Sequence, residues 1–250
     1  MEPIFQKEYT ISAIHVDRFG RIKPSILLLF AQEAAGAHCM ELAVDWDTLS
    51  QQNLFWAVIR TKMQISRLPG AGETIRVETW PMPTTRVAFP RSTIGYDADG
   101  NEVFRSISLW VLMDTNTRAM VLPGKSGIAL QGTLRGNELS VPQNLPLQVL
   151  EKQVSRRVGF SELDRNGHMN NTRYMDWVAD LLDSSFHAQH TVQEFTICYL
   201  SEAKEGETIQ LSWALSDGPC LQTEGKRTGE NATGTGERVF SAQVIFNGVL

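Results

Sequence analysis

The chain has 250 residues and only three cysteines, Cys39, Cys198 and Cys220. An odd count at wide spacing argues against a disulfide scaffold and fits a reducing compartment, the cytoplasm. Long apolar runs are absent too. The run Ile26–Ala31, which no other exceeds, is stopped by Gln32 and Glu33, whereas a membrane span needs about 20 such residues. Basic charge is not in excess: 23 Lys+Arg against 28 Asp+Glu leave a net charge of −5, so a nucleic-acid-coating role is disfavoured. The start, Met1-Glu2-Pro3-Ile4-Phe5, lacks a basic stretch leading into an apolar one, and no signal or transit peptide is expected. Neither a Gly-rich phosphate loop nor a Gly-x-Ser-x-Gly elbow occurs, which disfavours nucleotide-dependent chemistry and the α/β-hydrolase mechanism. What remains is an ordinary globular composition, 42% hydrophobic and 20% charged, long enough for one large domain or two small ones.

The chain repeats itself. Asp17-Arg18-Phe19-Gly20-Arg21-Ile22 returns 147 residues later as Asp164-Arg165-Asn166-Gly167-His168-Met169. Gly72-Glu73-Thr74-Ile75 returns as Gly206-Glu207-Thr208-Ile209, and Val103-Phe104 as Val239-Phe240. Three matches in one order predict two copies of one unit. Each unit reads as strand, loop, helix, then strands. The first has a helix over Pro24–Leu42, with Ile26, Phe30, Ala34 and Ala37 at helical spacing and Pro24 in the first turn. Its strands are predicted at 55–65, 74–80, 87–96 and 103–114, with a hairpin turn over Asp97–Asn101. The second has a helix over Asn170–Phe186, with Tyr174, Val178, Leu181 and Leu182 on one face, and strands at 193–200, 208–215 and 238–246. Residues 216–237, rich in Gly and Thr, read as a mobile surface loop. The expected organisation is residues 1–135, a linker over 136–152, and residues 153–250. One helix per unit with mainly adjacent strands implies antiparallel sheets, each wrapped around one long helix, an α+β class.

The copies differ at informative positions. Asn166 and His168 stand where the first copy has Phe19 and Arg21. In an extended segment Asp164, Asn166 and His168 would share one side, just ahead of a helix N-terminus whose N–H groups could hold an oxyanion. An imidazole or carboxylate there could activate water. The competing reading is local: Asp164 and Asn166 cap a turn, and Asp17 already shows that an aspartate has a turn role in both copies. His187-x-x-His190 reads as a solvated helix-end pair rather than a metal site, and no metal or other cofactor is expected. Trp56, Trp80, Trp110 and Trp213 read as core, and the small residues Ala34-Ala35-Gly36-Ala37 as close packing or as room for a ligand.

The run Leu163-Asp164-Arg165-Asn166-Gly167-His168-Met169-Asn170-Asn171-Thr172-Arg173-Tyr174 resembles the Leu-Asp-x-Asn-x-His-[Val/Met]-Asn-Asn-x-x-Tyr signature of acyl-acyl-carrier-protein thioesterases of plant plastids and bacteria. Trp56–Thr61, Arg67-Leu68-Pro69 with Gly72-Glu73, Thr79-Trp80 and Ser108–Asp114 fit the same family; 123–150 and 216–237 add little. The resemblance implies a tandem (double) hotdog fold. The first hotdog would supply the acyl-chain pocket, near Ala35 and Gly36, and the second the catalytic residues. Asp164, Asn166 and His168 fall on the family's catalytic aspartate, asparagine and histidine. Glu202 falls on a further carboxylate, in the strand after the second helix, and Asn170 and Asn171 lie beside the substrate. Where plant members carry a cysteine this chain has Ala203, so direct attack by water is favoured, with Glu202 or His168 as base. The implied activity is hydrolysis of fatty acyl-carrier-protein thioesters, ending chain elongation in fatty acid biosynthesis. The implied partner is an acyl carrier protein with its phosphopantetheine-linked chain, with no nucleic acid and no membrane span, the enzyme being a monomer or homodimer. Arg18, Arg21, Lys23, Arg165 and Arg173 could meet the carrier or its phosphate. Acyl-coenzyme A hydrolysis, a non-catalytic acyl-carrier sensor and a hotdog hydratase are the alternatives.

Overall fold

A computed structural model describes residues 4–135, 139–146, 149–216, 218–228 and 236–248. Parts of the expected linker (136–138, 147–148) and of the expected loop (217, 229–235) lie outside the described residues. The chain divides into two compact units, Met1–Pro142 and Gln143–Leu250. Among the described residues no helix is long and apolar enough to cross a membrane.

The first unit runs β1 (Phe5–Thr10), α1 (Pro24–Glu41), α2 (Trp46–Ser50), β2 (Leu54–Ile65), β3 (Thr74–Pro81), β4 (Phe89–Tyr96), β5 (Glu102–Asp114), β6 (Met120–Val121) and α3 (Pro123–Ser126). Its strands pair antiparallel in the order β1-β3-β4-β5-β2, with β6 beside β5. Pro24 opens α1, where a missing N–H breaks no internal bond. The buried stripe of α1 is rotated from the expected one: Ile26 and Ala37 are half-buried, while Leu27, Leu28, Phe30, Ala34, Ala35 and His38 are buried. Tyr9 of β1 stacks on Phe30, and Phe5 on His38, so this helix face packs against the strands. The Asp97–Asn101 turn is closed by Asp97, whose Oδ1 accepts the Asp99 and Asn101 N–H groups, and by Gly100 at φ +83°. Of the four strand tryptophans, Trp80 is fully buried. Trp56 and Trp110 are half-buried against Leu49, Leu54, Phe89 and Leu112.

The second unit runs β7 (Lys152–Arg157), α4 (Arg173–Ala179), α5 (Ser184–Gln189), β8 (His190–Tyr199), β9 (Thr208–Ser216), β10 (Cys220–Thr228) and β11 (Arg238–Gly248). Its strands pair antiparallel in the order β8-β11-β10-β9-β7. Two expectations fail here. The single long helix is two short ones, because the Asp183 carboxylate accepts the Phe186 N–H and starts a new helix. Much of the expected 216–237 loop is strand β10. Its inward residues are Leu221, Thr223, Gly225 and Arg227, so alternation is present but half of the buried face is not apolar. Tyr174 of α4 packs edge-on to Phe240 of β11, 4.9 Å between ring centroids, and fixes which sheet face the helix covers.

Candidate active site

The loop between β7 and α4 is a tight turn rather than an extended segment. Asp164 Oδ1 accepts the backbone N–H groups of Asn166 (2.8 Å) and His168 (3.2 Å). The Asp164 N–H donates to the His168 carbonyl at 2.7 Å, and the Gly167 N–H to the Asp164 carbonyl at 3.0 Å. Gly167 has φ +75°, a conformation that glycine adopts without strain. Asp164, Asn166 and His168 therefore do not line up along a strand: the aspartate builds the loop, and the other two are carried by it. The Asn166 side-chain nitrogen lies 3.4 Å from Asp164 Oδ2, and its Oδ1 is buried without a hydrogen-bond partner.

A second loop brings the carboxylate. Glu202 sits just past the end of β8, in the loop before β9, not in the strand as expected. A bridge between His168 and Lys204, and the Met169 N–H on the Ala203 carbonyl at 2.8 Å, zip the two loops together. Glu202 Oε2 then lies 3.3 Å from His168 Nε2. His168 is the more enclosed, its side chain 15% exposed against 38% for Glu202, so water reaches the pair from the carboxylate side. A carboxylate can only accept, so with neutral His168 the shared proton sits on Nε2.

Sequence reasoning missed Arg227, because it lay in the stretch read as loop. Its Nη2 donates to the Glu202 carbonyl at 2.6 Å and to Ser201 Oγ at 3.3 Å. Glu207 (Nε to Oε2, 3.0 Å) and Glu237 hold the other side of the guanidinium. A signal was present: a lone arginine among Leu221, Thr223 and Gly225 at period two marks a buried cation. Tyr174 is also built in: burial raises the ionisation of its phenol well above the ordinary value.

The helix N-terminus is less available than the sequence suggests. The Asn170 N–H donates to the Glu162 carbonyl (2.8 Å), the Thr172 N–H to Asn170 Oδ1 (2.9 Å) and the Arg173 N–H to the Asn170 carbonyl (2.9 Å). Asn170 is thus a cap, and the Asn171 carbonyl accepts the Tyr199 hydroxyl at 3.1 Å. In α1, Ala35 is buried, but Gly36 is exposed, with open space where a Cβ would stand. His187 and His190 are not a solvated pair: their rings bond the carbonyls of Ala179 (2.9 Å) and Phe186 (3.0 Å). Of the basic residues near the two loops, Arg21 pairs with Asp17, Arg173 with Asp176, and Lys23 donates to the Ile14 carbonyl. Among the described residues no three His, Cys, Asp or Glu side chains converge as a metal cluster.

Residues 2–122 match the model of the acyl-ACP thioesterase N-terminal domain, and residues 148–247 that of the C-terminal domain. Dodecanoyl-[acyl-carrier-protein] hydrolase of Cinnamomum camphora is 26% identical over 230 residues, 86% of this chain and 60% of the relative. Oleoyl-acyl carrier protein thioesterase of Coriandrum sativum is 26% identical over 197 residues, 71% and 53% of the two chains. The chain spans at most about three-fifths of the length of these curated relatives. An acyl-ACP thioesterase structure from Bacteroides thetaiotaomicron superposes with a TM-score of 0.88 at 23% identity, covering 98% of both chains. The 12:0-ACP thioesterase structure from Umbellularia californica gives 0.84 at 22% identity, covering 100% of this chain and 99% of that one. These likenesses show the fold, two hotdog units in one chain, and the two domain matches together show the kinship: the chain belongs to the acyl-ACP thioesterase family.

Proposed function

We propose that the protein hydrolyses fatty acyl-carrier-protein thioesters, releasing the free fatty acid and so ending chain elongation in fatty acid biosynthesis. The observation that carries this reading is the His168–Glu202 pair, 3.3 Å apart, in a chain with the family's two domains. Water attacks the thioester carbon, its oxygen forming the new C–O bond while the C–S bond breaks. The pair takes the proton from water and delivers it to the departing pantetheine sulfur, a role worth about 10²–10⁴ in rate. Asn166, carried by the same loop as His168, orients the attacking water or binds the thioester carbonyl. Asp164 and Arg227 act on positions rather than on substrate: one shapes the His168 loop, the other pins the Glu202 backbone. The second unit is thus the catalytic one, and the first, with Ala35 buried in α1, holds the chain. No sulfur nucleophile takes part, since Ala203 follows Glu202 and Cys198 is buried. Three free cysteines suit a cytoplasmic setting.

The test is fatty acid release from matched carrier-protein and coenzyme A thioesters of several chain lengths, with His168→Ala as control. Faster release from the carrier series, lost in the variant, is the expected result and gives the preferred length. Faster release from coenzyme A moves the substrate to the free cofactor. Tight binding without release from either series makes the protein a sensor and overturns the catalytic reading.

A further inference from the structure

The sheet faces covered by the two helices can be compared position by position, because both carry one landmark. Gly95 pairs with Phe104 and Gly225 with Phe240. In each case a Cβ on the glycine would stand 2.2–2.3 Å from the phenylalanine ring. Residues paired across antiparallel strands project to the same face, so the next two rows can be read from the landmarks. In the second unit they contain Trp213, Thr223, Ala242, Leu221, Val244 and Phe195. In the first the same places hold Thr79, Thr93, Ser106, Arg91, Ser108 and Thr61, and the rows' two remaining places hold Met63 and Pro81 against Ile197 and Leu215 of the second. The fold does not require polar groups there, since its own second copy does without all but one of them.

Arg91 is 5% exposed and stands where the second copy has Leu221. Its Nη1 bonds His38 Nδ1 (3.1 Å) and Thr79 Oγ1 (3.3 Å), and its Nη2 lies 3.8 Å from Cys39 Sγ. None of these partners is a carboxylate. Burial raises the ionisation of Cys39, which leaves it a neutral thiol. Asp45, whose charge reaches Cys39, is bound to the Asp47 N–H and the Thr48 hydroxyl. A buried guanidinium without a counter-charge is costly.

His38 makes the same demand. A guanidinium has only donors, so the Nδ1 facing it must be the acceptor. The neutral imidazole therefore carries its proton on Nε2, which is buried and has no hydrogen-bond partner. Burial first, and then Arg91, push the ionisation of His38 down to about 4, so this neutral form holds near pH 7. An uncompensated cation and an orphan N–H donor, side by side under α1, both call for an oxygen acceptor.

We propose that the interior of the first unit binds an acyl chain bearing an acceptor oxygen away from the thioester, a keto, hydroxyl or carboxylate group, through Arg91 and His38. This rests on the hydrolase reading, and it names the substrate class that reading leaves open. Sites that hydrogen-bond a ligand oxygen reject the analogue lacking it, because their buried polar groups are then unpaired.

The test uses thioesters of one length with plain, hydroxylated, keto and ω-carboxylated chains, together with their non-hydrolysable amide analogues for calorimetric binding. At least one oxygenated chain is expected to exceed the plain chain about tenfold or more in both kcat/KM and affinity. Arg91→Leu, which installs the second copy's residue, should bring that ratio to about one, and His38→Phe should lower it in the same direction if the leucine variant does not fold. A plain chain that equals or beats every oxygenated one overturns the proposal, as does an unchanged ratio in folded variants. So does acetate alone stabilising the protein against heat as much as the oxygenated amide does, since the site would then serve a free anion. If no thioester is hydrolysed the catalytic reading falls, and the amide binding ratio still decides the fate of this site.

Discussion

In the first unit Asp17 accepts the N–H groups of Phe19 (2.8 Å) and Arg21 (3.1 Å), and its second oxygen binds the Arg21 guanidinium. In the second unit Asp164 accepts the N–H groups of Asn166 and His168, and its second oxygen faces the Asn166 amide. Gly20 and Gly167 share the same left-handed turn, at φ +78° and +75°. The Ile22 N–H meets the Pro69 carbonyl, and the Met169 N–H meets the Ala203 carbonyl, both at 2.8 Å. The backbone plan is the same, so the plan is not what makes a site. Where the second copy places His168 against Glu202, the corresponding residues of the first are Arg21 and Leu68. The arginine braces have also changed sides. Arg67, in the loop after β2, reaches Glu73 and Asp97. Arg227, on β10, reaches Glu207 and the loop after β8. In the second copy the cation sits on the strand and reaches that loop through the Glu202 carbonyl and the Ser201 hydroxyl.

The largest expected effect breaks this comparison directly. Glu202→Gln keeps the shape of the pair but removes the charge, and turnover should fall by about 10²–10⁴. Arg21→Met, at the twin position of His168, should leave turnover within about twofold of the parent. Steady-state rates on a carrier-protein thioester, with melting curves to verify folding, decide it. Equal losses in both variants would mean that the two loops do not divide structure from chemistry.

Much of this architecture was legible because its causes are local. The Gly-Glu-Thr-Ile repeat is visible since each member works: Gly72 and Gly206 take φ +90° and +82°, and Glu73 and Glu207 accept the N–H groups of Gly70 (2.6 Å) and Lys204 (3.0 Å). The Asp-x-Asn-x-His run has the same local cause: of its two readings, an extended segment and a turn closed by Asp164, the structure has the turn. Strand β10 was lost because glycine and arginine occupy its buried face, which only the ring of Phe240 and the carboxylates of Glu207 and Glu237 explain. These are long-range partners. The break between α4 and α5 was misjudged because Asp183 can sit inside a helix or start one, and the hydrophobic spacing of Leu181 and Leu182 spoke for continuity.

A smaller effect sharpens the contrast between the two helix-covered faces, of which, among the described residues, only the first buries a histidine. The ionisation of His38 lies at about 4 in the folded chain against an ordinary 6.5. The unfolded chain therefore takes up this proton first as pH falls, and the folded state loses stability between pH 6.5 and about 4, with no further loss below. Above pH 6.5 the group contributes nothing to the slope. The loss attributable to it is up to about 3 kcal/mol. Urea unfolding of the parent and of His38→Phe across this range measures it as a difference, since carboxylates add a slope common to both. An identical slope in the two proteins would place the acid sensitivity elsewhere.

The smallest effect concerns the helices themselves. At the spacing that relates the two loops, Gly36 of α1 corresponds to Asp183, where the second unit's helix restarts. The first helix runs through this point unbroken with a glycine exposed in its interior and nothing within 4 Å of a Cβ. If continuity there is only a matter of backbone propensity, Gly36→Ala should stabilise the unit by up to about 1 kcal/mol and leave chain-length preference unchanged. If instead the glycine makes room for substrate, the alanine should shift preference toward shorter chains, and Gly36→Leu should shift it further. Melting temperature and the chain-length profile, measured on the same variants, separate a helix property from a pocket property. The open space around Gly36 predicts the first.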